Sequence, residues 1–468
     1  MVRFKFLPIL AFALLLPAAL AQNTLPPATT AAIDSAVADA LNTTGVPSAS
    51  IAVVKDGAIA YTHAYGKAQL DPERTADPSM RYAIGSVSKQ FTATAVLLLA
   101  EQGKLSLDDK VSRWLPQLTR ANEVTLRQVL SHTSGYQDFF PQDYDPPLML
   151  KPTTADFILD TWARKPLDFD PGTQWQYSNT NYVIAGRIVE QVSGTSIFDF
   201  LQQRVFTPLH MTSARDIDAL GLDPHDAVGY LRHALGPLRQ APHEGKGWMF
   251  AAGELAMTAD DLAKWDISII NRTILKPPSY DELEREVMLK DGKPTHYALG
   301  VQVSTQNGHR VIAHSGEVGG FVSDNVVLPD DHDAIVVLTN KDASSAASQI
   351  AHKVAALLVP DAQAAAANAG GAEATARQIY VDLSQGKIDR SLFTDNANFY
   401  FNQQALDDYA SSLGPLGAPV SFKKTGEQLR GGMTYRAFEA KMKDKTVHIS
   451  TYQMPDGKWE QFLVEPAD

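Results

Sequence analysis

Ser86 and Lys89 stand three residues apart in Gly85-Ser86-Val87-Ser88-Lys89-Gln90-Phe91, directly ahead of the apolar run Ala93-Thr94-Ala95-Val96-Leu97-Leu98-Leu99-Ala100. That run predicts a helix buried on most sides and stopped at Gly103, with Ser86 at its mouth. Residues three apart share a helical face, so hydroxyl and amine fall within reach of each other. A serine hydroxyl is a poor nucleophile near neutral pH. An amine half buried beside an apolar helix loses its preference for the ammonium form and can serve as the base the serine needs. The free N–H groups of a helix N-terminus can hold a developing oxyanion. The chemistry this permits is acyl transfer through a serine ester. The spacing alone is common, and its alternative is a capping serine followed by a solvated lysine.

Other polar clusters read differently. In Leu130-Ser131-His132-Thr133-Ser134-Gly135-Tyr136, a histidine and a serine two apart on a turn rarely align imidazole with hydroxyl, so the stretch is expected to be a structural turn. His243-Glu244 has no second histidine at helical spacing, and the acidic turn 329–333 reads as a solvated hairpin tip rather than a calcium loop. No metal and no cofactor is expected. The chain contains no cysteine, which excludes disulfides, thiolate metal sites and a cysteine nucleophile together.

The elements that must hold Ser86 follow from the pattern on either side of it. Residues 29–41 predict an amphipathic helix, and 49–64 predict a hairpin closed by Asp56-Gly57. Further hairpins are expected over 297–314, turning at Asn307-Gly308, and over 321–339, followed by a helix over 344–358. Residues 360–372 are low in complexity and rich in alanine and glycine, a linker. Beyond it a helix over 373–385 and strands over 398–402, 434–442, 446–453 and 459–464 predict a small α+β domain, 373–468, with no catalytic residues. At the other end, Arg3 and Lys5, an apolar core over 6–20 and Ala19-Leu20-Ala21 form a secretory signal peptide pattern over 1–21, which places the mature protein in the periplasm or outside the cell, with no stable membrane insertion after cleavage. At 468 residues and 44% hydrophobic the chain can fill two cores, and a net charge of −12 without a basic cluster argues against a nucleic-acid partner.

Gly-Ser-Val-Ser-Lys-Gln-Phe-Thr, the leucine run and Gly103-Lys-Leu-Ser-Leu-Asp-Asp-Lys-Val-Ser-Arg-Trp-Leu-Pro resemble the serine β-lactamase and penicillin-binding protein superfamily, and more narrowly its class C β-lactamase, D-peptidase and esterase branch. The resemblance covers roughly 28–359 and implies, for 22–359, an α/β sandwich whose antiparallel sheet is flanked by helices, with a helical region inserted after the first hairpin. Two further stretches fit the family pattern in the same order. Tyr177-Ser178-Asn179 matches its Tyr-x-Asn loop, which implies that Tyr177, its phenol pKa lowered by a nearby ammonium, relays the Ser86 proton, and that Asn179 holds Lys89 and a substrate amide. His314-Ser315-Gly316-Glu317 matches its Lys-Thr-Gly or His-x-Gly strand end, which implies substrate binding along the strand and a Glu317 N–H completing an oxyanion hole with that of Ser86. The C-terminal domain resembles the cystatin-like cone of nuclear-transport-factor type.

Together these imply an exported serine hydrolase forming an acyl-enzyme on peptide or amide bonds, D-amino-acid or cell-wall-type peptides above all. Its partner would be a small-molecule or peptide substrate, possible sources including peptidoglycan. With histidine at 314 in place of a fixed cation, it is expected to be a poor β-lactamase whose preference for carboxylates fades as that histidine titrates. The alternatives are an esterase using the same residues and a penicillin-binding sensor without turnover.

Overall fold

Asp56 and Gly57 both take positive φ, 53° and 76°, as a two-residue hairpin turn matched to right-handed strand twist requires. They join β1 (Ser48–Lys55) to β2 (Ala58–Leu70), and β3 (Glu73–Thr75) follows. The structure is a computed structural model describing residues 24–306, 308–359, 372–430 and 433–467. The expected signal peptide, the linker up to its last residue and the Asn307 turn position lie outside the described residues.

Four later strands complete the main sheet: β4 (Gln302–Gln306), β5 (His309–Val318), β6 (Phe321–Leu328) and β7 (Asp333–Thr339). The order is β3-β2-β1-β7-β6-β5-β4, with every neighbouring pair antiparallel. Five helices pack on or beside it: α1 (Pro27–Thr44), α2 (Lys89–Glu101), α3 (Asn179–Ser193), α4 (Ala259–Asn271) and α5 (Ala346–Leu358). Strand periodicity sorts the central residues between two cores. Ile51 and Val53 meet Ile33, Val37, Ile350 and Val354 of α1 and α5, whereas Ala52 and Val54 share a core with Leu262, Trp265 and Ile269 of α4 and with the inserted helical region. This is the β-lactamase-type architecture expected, with the insertion where it was placed.

The C-terminal unit has its own core around Tyr380, Tyr409, Phe438, Trp459 and Phe462. It consists of α6 (Ala372–Leu383), α7 (Asp395–Tyr400) and α8 (Gln403–Leu413) against an antiparallel meander of β8 (Ser421–Arg430), β9 (Met433–Lys441), β10 (Thr446–Gln453) and β11 (Trp459–Pro466). Two details depart from expectation. The aromatic stretch 398–402, read as a strand, lies at the end of α7, because the Thr394 hydroxyl accepts the Ala397 N–H and starts a helix there. The strand β8 was not anticipated at all.

The two units are tied by more than the linker. The Tyr144 hydroxyl donates to Glu460 O at 2.9 Å, and Gln461 exchanges hydrogen bonds of 2.6 and 2.9 Å with the backbone and carboxylate of Asp143. Arg239 forks onto Asp408 of α8, whose side chain is only 6% exposed.

Candidate active site

Ser86 sits in one 3-10 turn (Gly85–Ser88) that feeds α2, and Lys89 is the first residue of that helix. The turn is clamped from both sides. Ile84 donates its N–H to Leu255 O at 3.0 Å, and its carbonyl accepts the Ser323 hydroxyl of β6 at 2.8 Å. On the β5 side the backbones nearly touch: a Cβ on Gly316 would sit 2.0 Å from Ile84 O and 2.9 Å from Ser86 N. A Cβ on Gly85, at φ 50°, would sit 2.7 Å from Glu317 N. Only glycine permits this approach.

Lys89 is fully buried, and its Nζ lies 2.8 Å from each of Ser86 Oγ, Asn179 Oδ1 and Ala252 O. Two of these partners are carbonyl oxygens, which can only accept. A neutral amine satisfies both with its two N–H groups and turns its lone pair to the Ser86 hydroxyl. Burial pushes the amine well below the usual lysine range; Asp138 opposes that shift and Arg430 adds to it.

Tyr177 lies over Lys89, with Nζ 5.0 Å from the ring centroid, and its hydroxyl is buried without a hydrogen-bond partner. Its phenol was expected to be acidified by the ammonium. Burial instead drives it upward, against weaker opposing effects of the Ser86 hydroxyl and Arg430. Tyr177 thus stands as a protonated phenol.

The His132 ring packs 4.2 Å from that of Tyr177, and its Nδ1 accepts the Ser178 N–H at 3.1 Å. Ser134 donates to Asn181 Oδ1 at 2.6 Å and accepts from Tyr136 N. This turn carries the tyrosine loop on its back. Asn179 holds Lys89 as expected, but its Nδ2 is turned to Phe140 O (3.0 Å) and Asp138 (3.4 Å) rather than toward open space.

His314 requires a correction. It faces the site, 6.1 Å from the Tyr177 ring, yet it is buried, bonded through Nε2 to Tyr297 Oη (2.8 Å) and through Nδ1 to Ser315 O (2.6 Å), and does not line the cleft. Burial above all pushes its imidazole down to about 3, so it stays neutral throughout the physiological range and stands behind the cleft wall rather than in it. Ser315, Gly316 and Glu317 do line the cleft. In β5 the odd-numbered amides face β4, as the register His309↔Gln306, Val311↔Ser304, Ala313↔Gln302 across a two-residue turn dictates. Beyond Gln302 that edge is vacated, which turns the Ser315 and Glu317 N–H groups outward beside Ser86.

The cleft, about 310 Å³, is also lined by Asp143, Asp145, Asp342, Gln428 and Arg430. The last two come from β8, so the C-terminal unit supplies one wall. Arg430 Cζ lies 5.1 Å from the Tyr177 ring centroid, on a ring also approached by Lys89. Arg430 and the buried Asp138 are the site residues that motif reading missed. The available signal was the charged stretch that leads up to Gly431-Gly432 in the sequence.

Among the described residues no group of side chains could hold a metal ion, and no helix is long and apolar enough to cross a membrane. A buried amine on a serine hydroxyl, set between a helical region and an antiparallel sheet edge, defines a serine hydrolase of the β-lactamase and transpeptidase fold. The Beta-lactamase family model matches residues 33–359, and the chain belongs to that family. A penicillin-binding protein of Bacillus subtilis (strain 168) is 29% identical over 325 residues, 65% of this chain and 71% of that protein. Protein flp of Staphylococcus aureus (strain NCTC 8325 / PS 47) is 28% identical over 330 residues, 68% of this chain and 65% of that protein. The chain thus spans about two thirds of the length of these curated relatives. A D-stereospecific amidohydrolase from Streptomyces sp. superposes with a TM-score of 0.62 at 26% identity, covering 71% of this chain and 99% of that one. The octameric penicillin-binding protein homologue from Pyrococcus abyssi, TM-score 0.64 at 21% identity, shares the fold over 93% of this chain and 99% of that one, a match that extends into the C-terminal unit.

Proposed function

We propose that the protein is an exported hydrolase of amide bonds in D-amino-acid or cell-wall-type peptides, of the D-peptidase and esterase branch, working through an acyl-enzyme on Ser86. The observation that carries this reading is the Lys89 amine, buried and bonded to two acceptors with its third contact on the Ser86 hydroxyl. As Ser86 Oγ attacks the carbonyl carbon, its proton passes to the Lys89 lone pair, and the N–H groups of Ser86 and Glu317 hold the oxyanion. The C–N bond then breaks while the leaving amine takes a proton by way of the Tyr177 phenol, which is replenished from Lys89. Water cleaves the ester by the reverse relay.

Substrate preference follows from the walls. Asp143, Asp145, Glu317 and Asp342 line the cleft, and its one guanidinium is already shared between Asp138 and Asp143 at 3.5 and 3.7 Å. Burial pushes Asp145 up to about 9, Asp342 up to about 7 and Glu317 well above the usual carboxyl range, so the preference rests on the committed guanidinium: the cleft has no uncommitted cation for the carboxylate a β-lactam brings, which favours neutral amides. The D-amino acid amidase from Ochrobactrum anthropi SV3, complexed with L-phenylalanine amide in its crystal structure, shares the fold at 24% identity, TM-score 0.62. Export rests on the 1–21 pattern, and the C-terminal unit is taken as an accessory domain of cystatin-like type. The test is labelling with a fluorophosphonate and a fluorescent penicillin, followed by turnover of D-amino-acid amides, nitrophenyl esters and a cephalosporin. Amide turnover well above β-lactam turnover supports the proposal. Fast cephalosporin turnover with inert amides refutes it.

A further inference from the structure

We propose that Arg430, delivered by the C-terminal sheet, is a positioning residue for catalysis: it supplies the charge that balances buried Asp138 and thereby leaves Lys89 free to act as the amine base. The inference rests on the reading of Ser86 and Lys89 above and adds the C-terminal unit to the working parts of the site.

Asp138 is the key. Its side chain has no solvent exposure. One carboxylate oxygen accepts the N–H groups of Asn179 (2.8 Å) and Phe140 (3.1 Å), while the other faces Asn179 Nδ2 at 3.4 Å. Asn179 in turn holds Lys89 through Oδ1 at 2.8 Å, so the buried carboxylate and the buried amine are separated by a single amide group. A buried carboxylate needs a cation. If Lys89 were the one nearest at hand, it would keep its proton and lose the lone pair directed at Ser86.

Arg430 meets that need from the other core. Its Nε lies 3.5 Å from Asp138 Oδ2 and its Nη1 3.7 Å from Asp143 Oδ1, while Nη1 also donates to Tyr452 Oη (2.9 Å) and Nη2 to Phe140 O (3.4 Å). A guanidinium does not release its proton under any ordinary condition. Of the two cations facing Asp138, the lysine is the one that yields. Every other group around Lys89 is uncharged: the Tyr177 and Tyr182 rings at 5.0 and 5.3 Å, the Ser86 hydroxyl, Asn179, and the His132 and His314 imidazoles, which burial keeps neutral. Removing Arg430 acts twice in the same direction. It withdraws a positive charge from beside the amine, and it leaves Asp138 with only Lys89 to pair with.

The experiment follows Lys89 directly by NMR of protein labelled at lysine Cε, together with the rate of fluorophosphonate labelling at Ser86 from pH 5 to 10, in the full chain. Arg430→Gln should move both titrations up by about one pH unit or more, slow labelling about tenfold at pH 7 and restore it at high pH. Arg430→Lys should stay near wild type, and Asp138→Asn should move the Lys89 titration the opposite way, a shift that loss of structure does not mimic. An unmoved Lys89 titration in Arg430→Gln, or slowing by the same factor at every pH, would overturn the proposal. If Arg430→Gln does not fold, a Lys89 titration unmoved or raised in Asp138→Asn does the same. Failure of the wild type to label at Ser86 would sink the acyl-enzyme reading instead, while the NMR titrations still decide the role of Arg430.

Discussion

Midway along β5, His314 packs against Tyr297, 6.1 Å from the Tyr177 ring, and is held neutral; at the end of β8, Arg430 reaches the Tyr177 ring from a different core and keeps its charge. Both are basic residues on strands that approach Ser86, and both are largely withdrawn from water. What separates them is their partners. His314 has a phenol and a carbonyl, neither of which stabilises an imidazolium enough to repay desolvation, whereas Arg430 has two carboxylates. The difference teaches that a family motif fixes where a side chain stands, and the surrounding shell decides whether it carries a charge. Here the guanidinium beside Tyr177 stands on a strand of the C-terminal unit, not on the strand that carries the motif.

The comparison breaks most completely if the two strands do not serve the same nucleophile. Ser86→Ala should abolish labelling and lower hydrolysis by roughly 10³-fold or more, while Ser134→Ala, which alters only the turn, should leave the chemistry in place. Mass spectrometry of the labelled peptide decides this, and a label on Ser134 would undo the assignment.

A cut after Pro360 keeps His314 and removes Arg430. The shortened protein should still acylate at Ser86 but about tenfold or more slowly at pH 7, with its acid limb displaced upward. Labelling of the purified fragment across pH measures it. Full-speed labelling at pH 7 would mean that the C-terminal wall is electrically irrelevant.

The smallest effect belongs to His314→Gln. Because the imidazole is already neutral, the pH profile of hydrolysis between 5 and 8 should not move, in contrast to the behaviour expected of a cleft histidine. Stability should respond instead. A folded-state value of about 3 against ~6.5 unfolded means that the unfolded chain binds the extra proton, so stability falls as pH drops through that window, by at most about 1.4 kcal/mol per pH unit. Urea midpoints measured from pH 7 to 4 should fall less steeply in His314→Gln than in wild type.

How much of this was legible in the chain depended on whether the determinant was local. Ser86 and Lys89 could be found because their relation is one helical turn, and the hairpins because Asp56-Gly57 has few other uses. Tyr177 could be placed near the amine, but the direction of its titration depended on burial, which no local pattern reports. The strand β8, Ser421–Arg430, reads as polar and charged because it is the outer strand of its sheet, where lysines guard an open edge. Alternation of apolar residues therefore could not reveal it, and Arg430 was lost with it. Asp138 shows no pattern either; its meaning comes from the Asn179 amide and a guanidinium supplied by a distant segment.

The Gly85 and Gly316 contacts make the gap between the Ser86 and Glu317 N–H groups a matter of two absent methyl groups. Neither glycine has a side chain to offer the chemistry, yet together they set the spacing between the Ser86 turn and the β5 edge, as thin shims set the gap between machine parts. A methyl at 316 would need to occupy space 2.0 Å from Ile84 O, so turn and strand would have to part by an ångström or more, and misplacement on that scale costs about 10²-fold in rate. The tolerance of the proposed mechanism is thus written into two residues that have no side chain.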